Sequence, residues 1–281
     1  MRQLVLLLGC GGQLGEAMAD ELARRHEVVA RQHDELDVTD ARAVRADVTT
    51  LCPDVIVNCA AYTDVDAAES DPLPAFAVNA WAVRTLARLA SEIDATLVHF
   101  STDFVFDGDT DRPYTEEDRP NPRGIYAVSK LLGEWLALET PRHFVLRVES
   151  LFGGPRARSS VDKLRDGITA GREVRAFSDR WVSPSFVEDV VKATALLLSG
   201  THPFGLYHCT NSGWATWADV AHEIARLAGR PEACITPVRM EDADLVAPRP
   251  RFAALSNAKL GAAGIQMPPW QDALARYWTA H

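Results

Sequence analysis

The run Leu4-Val5-Leu6-Leu7-Leu8 passes directly into Gly9-Cys10-Gly11-Gly12-Gln13-Leu14-Gly15. Five apolar residues without alternation read as a strand buried on both faces, as in a parallel sheet. From Leu14 to about Arg25 the apolar spacing becomes helical. A strand, a G-x-x-G-x-x-G loop and a helix form the opening of a βα unit. One glycine permits the tight turn, one lets backbone N–H groups approach a diphosphate, and one lets helix pack on strand. The positive end of the helix then favours an anion. The bland alternative is a tight turn with no ligand. A strand on one side and a helix on the other favour dinucleotide binding, with Gly9, Gly12, Gln13, Leu14 and Gly15 as contacts.

The alternation continues along the chain. Glu27 to Ala30 reads as a second strand, Asp40 to about Leu51 as a helix capped by Thr39, and Asp54 to Cys59 as a third strand. A helix over Pro74 to Glu92, a strand over Thr96 to Ser101, a helix over Tyr126 to Glu139 and a strand over His143 to Val148 follow. This pattern predicts an α/β fold: a Rossmann-type, doubly wound parallel sheet with right-handed crossovers. Residues 1–148 are expected to form the dinucleotide-binding domain. Residues 149–281 are expected to form mainly a smaller substrate-binding lobe, with segments returning to the sheet. Helices near Val161 to Ala170 and Val187 to Leu198, strands near Val174 to Phe177 and Gly205 to Cys209, and a Thr216–Asp219 capping box belong to that half. Short strands near Ile235 and Phe252 and a helix near Trp270 complete it. The Asp-, Pro- and Arg-rich stretch Gly108 to Gly124 reads as a long loop facing a substrate.

A net charge of −10 argues against nucleic acid or an anionic membrane as partner. Cysteines at 10, 52, 59, 209 and 234 are odd in number and lack a Cys-x-x-Cys pair, which fits a reducing cytoplasm rather than a disulfide framework. Leu7-Leu8-Gly9-Cys10 imitates a lipoprotein cleavage box, but the apolar run before it is too short for a signal-peptide core. His222-Glu223 opens like a zinc-protease helix, yet Arg226 stands where the second histidine belongs. No metal is expected.

The chemistry points to Tyr126 and Lys130. Four apart on a helix, they project from one face. A fixed ammonium there is expected to lower the phenol pKa and let the pair exchange a proton with an oxygen on a reacting carbon. Ser101-Thr102 ends the fourth long strand, where open α/β sheets bind ligands. A hydroxyl there can hold a carbonyl oxygen in line with Tyr126. Asp103 and Asp107 read as turn formers. Near the end of the second strand no acid appears before Asp34, and Arg31 can meet a 2′-phosphate, which favours NADPH with NADH as the alternative. Asp37 and Val38 fall near the adenine, and Cys59, Ala60 and Ala61 near the nicotinamide.

Together, Gly9-x-x-Gly12-x-x-Gly15, the run Asn58 to Asp66, the run Ser101 to Gly108, and Tyr126-x-x-x-Lys130-x-x-Gly133-Glu134 resemble the extended short-chain dehydrogenases, and most closely the dTDP-4-dehydrorhamnose reductase family. Gly205 to His208 and Arg249-Pro250 extend the resemblance over nearly the whole chain. It implies that NADPH reduces the C4 carbonyl of a nucleotide-linked 4-keto-6-deoxy sugar, as in dTDP-L-rhamnose synthesis. Tyr126 is then the proton donor, Lys130 tunes it and holds the nicotinamide ribose, and Thr102 binds the keto oxygen. Thr63, Asp64, Val65, Phe104, Ser150, Arg180 and Arg249 are implied on the substrate side, with Arg156, Arg158, Lys163 and Arg251 as further cations for a diphosphate. Glu149 and Ser150 stand where family members often carry a tryptophan, and Phe104 replaces a tyrosine. Glu188 and Asp189 match part of a magnesium site found at some dimer interfaces, but Ala17 replaces its carboxylate. A homodimer is an open expectation. The alternatives are an enzyme acting on another nucleotide sugar and a non-catalytic subunit like the regulatory β-subunit of methionine adenosyltransferase.

Overall fold

The computed structural model describes residues 2–156, 158–230 and 235–280. Cys234 therefore lies outside the described residues. β1 (Leu4–Leu8) is flanked by β2 (Glu27–Arg31) and β3 (Val55–Asn58), followed outward by β4 (Thr96–Thr102), β5 (His143–Val148) and β10 (Gly205–His208). Among the described residues these six strands form one sheet, ordered β2-β1-β3-β4-β5-β10, with every pairing parallel. The chain leaves β1 toward β2 and then returns to its other side, so the strand order reverses at β1. That reversal opens a crevice beyond the carboxyl ends of β1 and β3. The Rossmann-type arrangement read from the alternation is present.

Side chains on alternate residues of β1 explain why both sheet faces are covered. Val5 and Leu7 pack with Leu14, Met18 and Val190 from α1 (Gln13–Ala23) and α8 (Val187–Ser199). Leu6 and Leu8 pack with Val44, Val83 and Leu86 from α2 (Ala41–Leu51) and α5 (Ala82–Glu92). α6 (Ile125–Ala137) lies beside α5 on that second face. Burial of these apolar faces, at ~25 cal/mol per Å², is the main force holding the layers.

A separate core forms after β5. Phe152, Val161, Phe186, Trp217, Ile224 and Tyr277 pack together. They come from β6 (Leu151–Phe152), α7 (Ser160–Thr169), β9 (Ser185–Phe186), α9 (Trp217–Leu227) and α11 (Trp270–Ala280). The expected capping box opens α9: the Thr216 hydroxyl accepts from the Asp219 amide, and the Asp219 carboxylate accepts from the Thr216 amide. β10 belongs to the carboxyl-terminal half in sequence but completes the main sheet.

Three local readings change. Asp40, not Thr39, caps α2, accepting from the Arg42 and Ala43 amides, while Thr39 turns back to Asp37. An aspartate side chain reaches these amides as an acceptor. Phe252 is an isolated bridge to Trp181 rather than a strand. The helix expected over Pro74 to Glu92 is broken. It runs as α4 (Pro72–Phe76), a π-helical turn over Ala77–Trp81, and then α5. Wider turns of this kind occur frequently at functional sites.

Candidate active site

The glycine loop has the geometry its spacing implies. Gly9 has φ +75°, and a Cβ there would lie 2.6 Å from the Ala60 nitrogen. A Cβ on Gly15 would lie 2.2 Å from the Gly9 carbonyl oxygen, so loop and helix meet only because that residue has none. Gly12 is the N-cap of α1 and brings no side chain to its first amides. A cleft of about 550 Å³ opens there, lined by Gly9, Gly12, Asp37, Val38, Cys59, Ala60 and Ala61. Backbone donors at a helix terminus beside a glycine cradle suit a diphosphate.

Other expected cofactor contacts are placed differently. Arg31 makes a bidentate pair with Asp47, at 3.1 Å through both Nε and Nη2, and the residues facing the cleft are Gln32, His33 and Asp34. Arg31 is thus already neutralised where a 2′-phosphate was expected to find it. Its carbonyl instead accepts from the Gly9 and Cys10 amides, fixing the loop. Gln13 donates to the Gly153 carbonyl at 2.8 Å, tying the loop to the segment after β5, and Leu14 is buried in the core. Arg156, expected on the sugar diphosphate, lines the dinucleotide cleft and pairs with Glu16 at 3.4 Å.

Thr102 ends β4, and α6 presents Tyr126 beside it. Burial and the nearby Asp103 carboxylate raise the phenol pKa, and the neighbouring Thr102 hydroxyl, whose proton goes to Asp103, does not offset them. The expected lowering by Lys130 is not what the structure gives. Lys130 is buried, its Nζ donates to the Phe100 carbonyl at 2.6 Å, and its pKa falls to about 8 because burial disfavours the ammonium. Desolvation outweighs the charge of a neighbour that is aimed elsewhere.

The helix carrying both residues is held by contacts that no short motif announces. Glu69, from α3 (Val65–Ser70), accepts from the Ile125 amide at 2.7 Å and so caps α6 from outside. Gly124 has φ +126°, and a Cβ there would come 2.7 Å from that carboxylate. The π turn aims Asn79 inward, where it bonds both polar groups of the Tyr62 backbone and donates to Ser129 Oγ at 3.0 Å. Gly133 sits against the Asn79 carbonyl oxygen, 2.0 Å from where a Cβ would be. Glu134 forms a bidentate pair with Arg147 of β5, at 2.8 and 2.7 Å, with both side chains 2% exposed. The arginine also stacks over Phe106, 4.9 Å from the ring centre.

Of the expected substrate residues, Phe104 meets Tyr126 edge-on at 5.5 Å, and Arg180 stacks over Phe104 at 5.7 Å. Arg180 also lines a cavity of about 340 Å³ with Lys163, Arg175, Phe177 and Trp217. Arg249 acts on Arg180 but does not line that cavity: it pairs with Asp66 at 2.8 and 2.9 Å and pins the 247–249 segment to α3. Asp64 caps α3, Thr63 is exposed and Val65 is half-buried. Ser150 adopts φ +45°, a strained conformation for a residue with a Cβ. The loop before Gly124 is firmly tied. Tyr114 donates to Asp107 at 2.8 Å and bridges to Leu255, and Glu116 accepts from the His208 amide at 2.7 Å. Asp189, one of the acids weighed for magnesium, is held by Arg276 at 2.7 and 3.0 Å.

Asp103 reads from the sequence as a turn former and Glu149 as a position bearing on the choice of sugar, and the structure brings the two acids together. Both are buried and face Arg180, and Asp103 also acts on the Tyr126 phenol. Burial raises Asp103 to about 6, with Arg180 opposing, and burial and Asp103 together push Glu149 well above the carboxylate range.

The model of the RmlD substrate binding domain family matches residues 1–281. A dTDP-4-dehydrorhamnose reductase of Streptomyces griseus is 36% identical, over 98% of this chain and 93% of its own. The chain belongs to the dTDP-4-dehydrorhamnose reductase family. A Streptomyces antibioticus protein named as a probable dTDP-4,6-dihydroxy-2-methyloxan-3-one 4-ketoreductase is 37% identical, over 96% of this chain and 92% of its own. The crystal structure of dTDP-4-dehydrorhamnose reductase from Bacillus anthracis, in complex with NADP, superimposes with a TM-score of 0.94 at 30% identity, covering all of both chains. Members of this reductase family are oxidoreductases, and this chain is one of them by descent. No helix among the described residues is long and apolar enough to cross a membrane.

Proposed function

We propose that this protein uses NADPH to reduce the C4 carbonyl of a nucleotide-linked 4-keto-6-deoxy sugar, with dTDP-4-dehydrorhamnose as the first substrate to test. The observation that carries the reading is the meeting of Thr102, Tyr126 and buried Lys130 beyond the carboxyl end of β4, beside the glycine-lined cleft. NADP in the Bacillus anthracis relative supports the cofactor, and the names of both Streptomyces relatives support a 4-keto sugar nucleotide.

Gly9, Gly12 and Gly15 with the first amides of α1 would hold the diphosphate of the dinucleotide, and Val38, Cys59 and Ala60 would line the rest of its path. When bound there, the reduced nicotinamide supplies a hydride. As the substrate carbon is reduced, negative charge gathers on its oxygen. Tyr126, kept protonated by its raised pKa, gives that oxygen a proton, and the Thr102 hydroxyl holds it in line. Lys130, one helical turn from Tyr126, supplies a buried cation held at the Phe100 carbonyl. The Arg180, Lys163 and Arg175 cavity offers the positive charge that a sugar diphosphate requires.

The test is NADPH consumption with dTDP-4-dehydrorhamnose, run beside a panel of other 4-keto sugar nucleotides and with NADH as competitor. Turnover of another sugar nucleotide, with none of dTDP-4-dehydrorhamnose, would reject the named substrate and keep the reaction class.

A further inference from the structure

We propose that Asp103 is a positioning residue for the reduction, deciding through the hydrogen bond it shares with Thr102 whether that hydroxyl points to the carboxyl group or to the reacting oxygen. The proposal rests on the reading that Thr102 and Tyr126 hold a carbonyl oxygen. It follows from counting the hydrogens on one hydroxyl. Thr102 Oγ1 has a single proton and two lone pairs. The proton goes to Asp103 Oδ1 at 2.9 Å, and one lone pair takes the Phe104 amide at 3.2 Å. Only a lone pair is left facing Tyr126.

An arriving carbonyl oxygen is itself an acceptor, so it would meet that lone pair with repulsion. Ionised Asp103 can only accept, and while it does, Thr102 has nothing to donate. A proton on Asp103 reverses the bond. The carboxylic acid donates to Thr102 Oγ1, the Phe104 amide keeps its place, and the Thr102 proton turns to the substrate oxygen. Every position on the hydroxyl is then filled, and no covalent bond other than O–H is involved. Thr102 performs its role only with Asp103 protonated.

The surroundings fit a carboxyl group that changes state rather than one locked into an ion pair. Asp103 is 3% exposed, and its Oδ2 has no hydrogen-bond partner among the described residues. The same is true of Glu149 Oε1 and Arg180 Nε. Glu149, which accepts from the Ser183 amide at 2.7 Å, brings a second acid into the same buried space. Facing Asp103 are thus Arg180 from the segment before β8 (Trp181–Val182), Glu149 after β5 and Tyr126 on α6, with Arg249 acting on Arg180. Arg180 can neutralise only one of the two acids, and the other stays protonated more cheaply than it ionises at such depth. The resting pKa of about 6 puts Asp103 near the balance point, and loss of solvent on substrate binding moves it further toward the acid form.

The experiment compares pH profiles of kcat and kcat/KM for the wild type, Asp103→Asn, Thr102→Val and the double variant. In the wild type, kcat/KM should fall as pH rises through about 6, the inflection in kcat lying higher. The amide introduced by Asp103→Asn can donate to Thr102 at every pH, so this variant should lose that inflection with KM little changed. In the Thr102→Val background Asp103→Asn should do nothing more to the profile. An unchanged inflection in Asp103→Asn, or independent multiplication of the two effects, would overturn the proposal. A second arm needs neither substrate nor the Asp103 variant. Infrared difference spectra of enzyme with labelled aspartate carboxyls should show a buried carboxyl titrating near pH 6 whose band shifts in Thr102→Val. A band indifferent to Thr102→Val would also overturn it. If the wild type turns over no 4-keto sugar nucleotide, the substrate reading fails, and the infrared arm still decides whether Asp103 and Thr102 are coupled.

Discussion

Glu134→Gln should destabilise the protein by about 3 kcal/mol, toward the lower end of what breaking one side of a buried ion pair costs. Glu134 and Arg147 are each 2% exposed, and their bidentate contact joins α6, which bears Tyr126, to β5. Glutamine keeps the volume and one acceptor but leaves a guanidinium without a counter-charge. The other groups around Arg147 cannot replace it. His208 touches it at 3.3 Å, but burial and the arginine itself hold that imidazole neutral, at about 3. Phe106 offers only its ring face, and Glu116 is engaged by the His208 amide. For a chain of this size the loss corresponds to a fall in Tm of about 5 °C. Urea unfolding followed by tryptophan fluorescence reads it directly. Replacing both members, Glu134→Leu with Arg147→Met, should recover most of the loss, since an apolar pair of similar volume is often neutral or better. The substitution also reaches the chemistry, because the Glu134 carboxylate opposes the downward shift of Lys130. Its removal should lower Lys130 further below about 8 and reduce the ammonium fraction at neutral pH. A Glu134→Gln variant within about 1 kcal/mol of wild type, or a double variant as unstable as the sum of the singles, would refute the reasoning.

Tyr126→Phe should lower kcat by roughly 10²-fold or more while NADPH affinity, measured by fluorescence titration, stays near wild type. Because burial lowers Lys130 to about 8, its ammonium form is present below that pH and lost above it. In Asp103→Asn, which lacks the lower inflection, reductase activity should therefore fall on the alkaline side with an inflection near 8, absent once Lys130→Met is added. Gly15→Ala forces a methyl to within 2.2 Å of the Gly9 carbonyl oxygen and should weaken NADPH binding at least tenfold in calorimetry. Arg31→Ala should leave the ratio of NADPH to NADH affinity within about twofold, because the guanidinium is spent on Asp47, and a large loss of NADPH preference would show that the pair opens for the cofactor.

The parallel sheet was legible because buried strands such as Leu4–Leu8 carry unbroken apolar runs, and the helices between them carry their own period. The glycine loop, Thr102, Tyr126 and Lys130 were legible because their spacing is local. What stayed hidden depends on partners distant in sequence. Nothing near Arg31 announces Asp47, and nothing near Arg249 announces Asp66. Asp103 sits in a turn, as its residue type suggests, but its burial with Glu149 and Arg180 is set by three segments meeting. The phenol pKa was misread for the same reason: a four-residue spacing fixes which face Lys130 shares with Tyr126, while the Phe100 carbonyl fixes where its ammonium goes.

The π turn at Ala77–Trp81 limits how freely this chain can vary its length. Such a turn is what a helix looks like after gaining a single residue. Removing one residue would let the segment relax to regular helix and swing Asn79 round by roughly 100°. The bonds to Tyr62 and Ser129 would be lost together, and with them the bracing of the helix that bears Tyr126. Apart from Asn79, Ala77-Val78-Asn79-Ala80-Trp81 offers little chemistry to substitute. The residue count itself is what matters there, so a one-residue deletion in an unremarkable helix should silence the enzyme as surely as loss of the tyrosine.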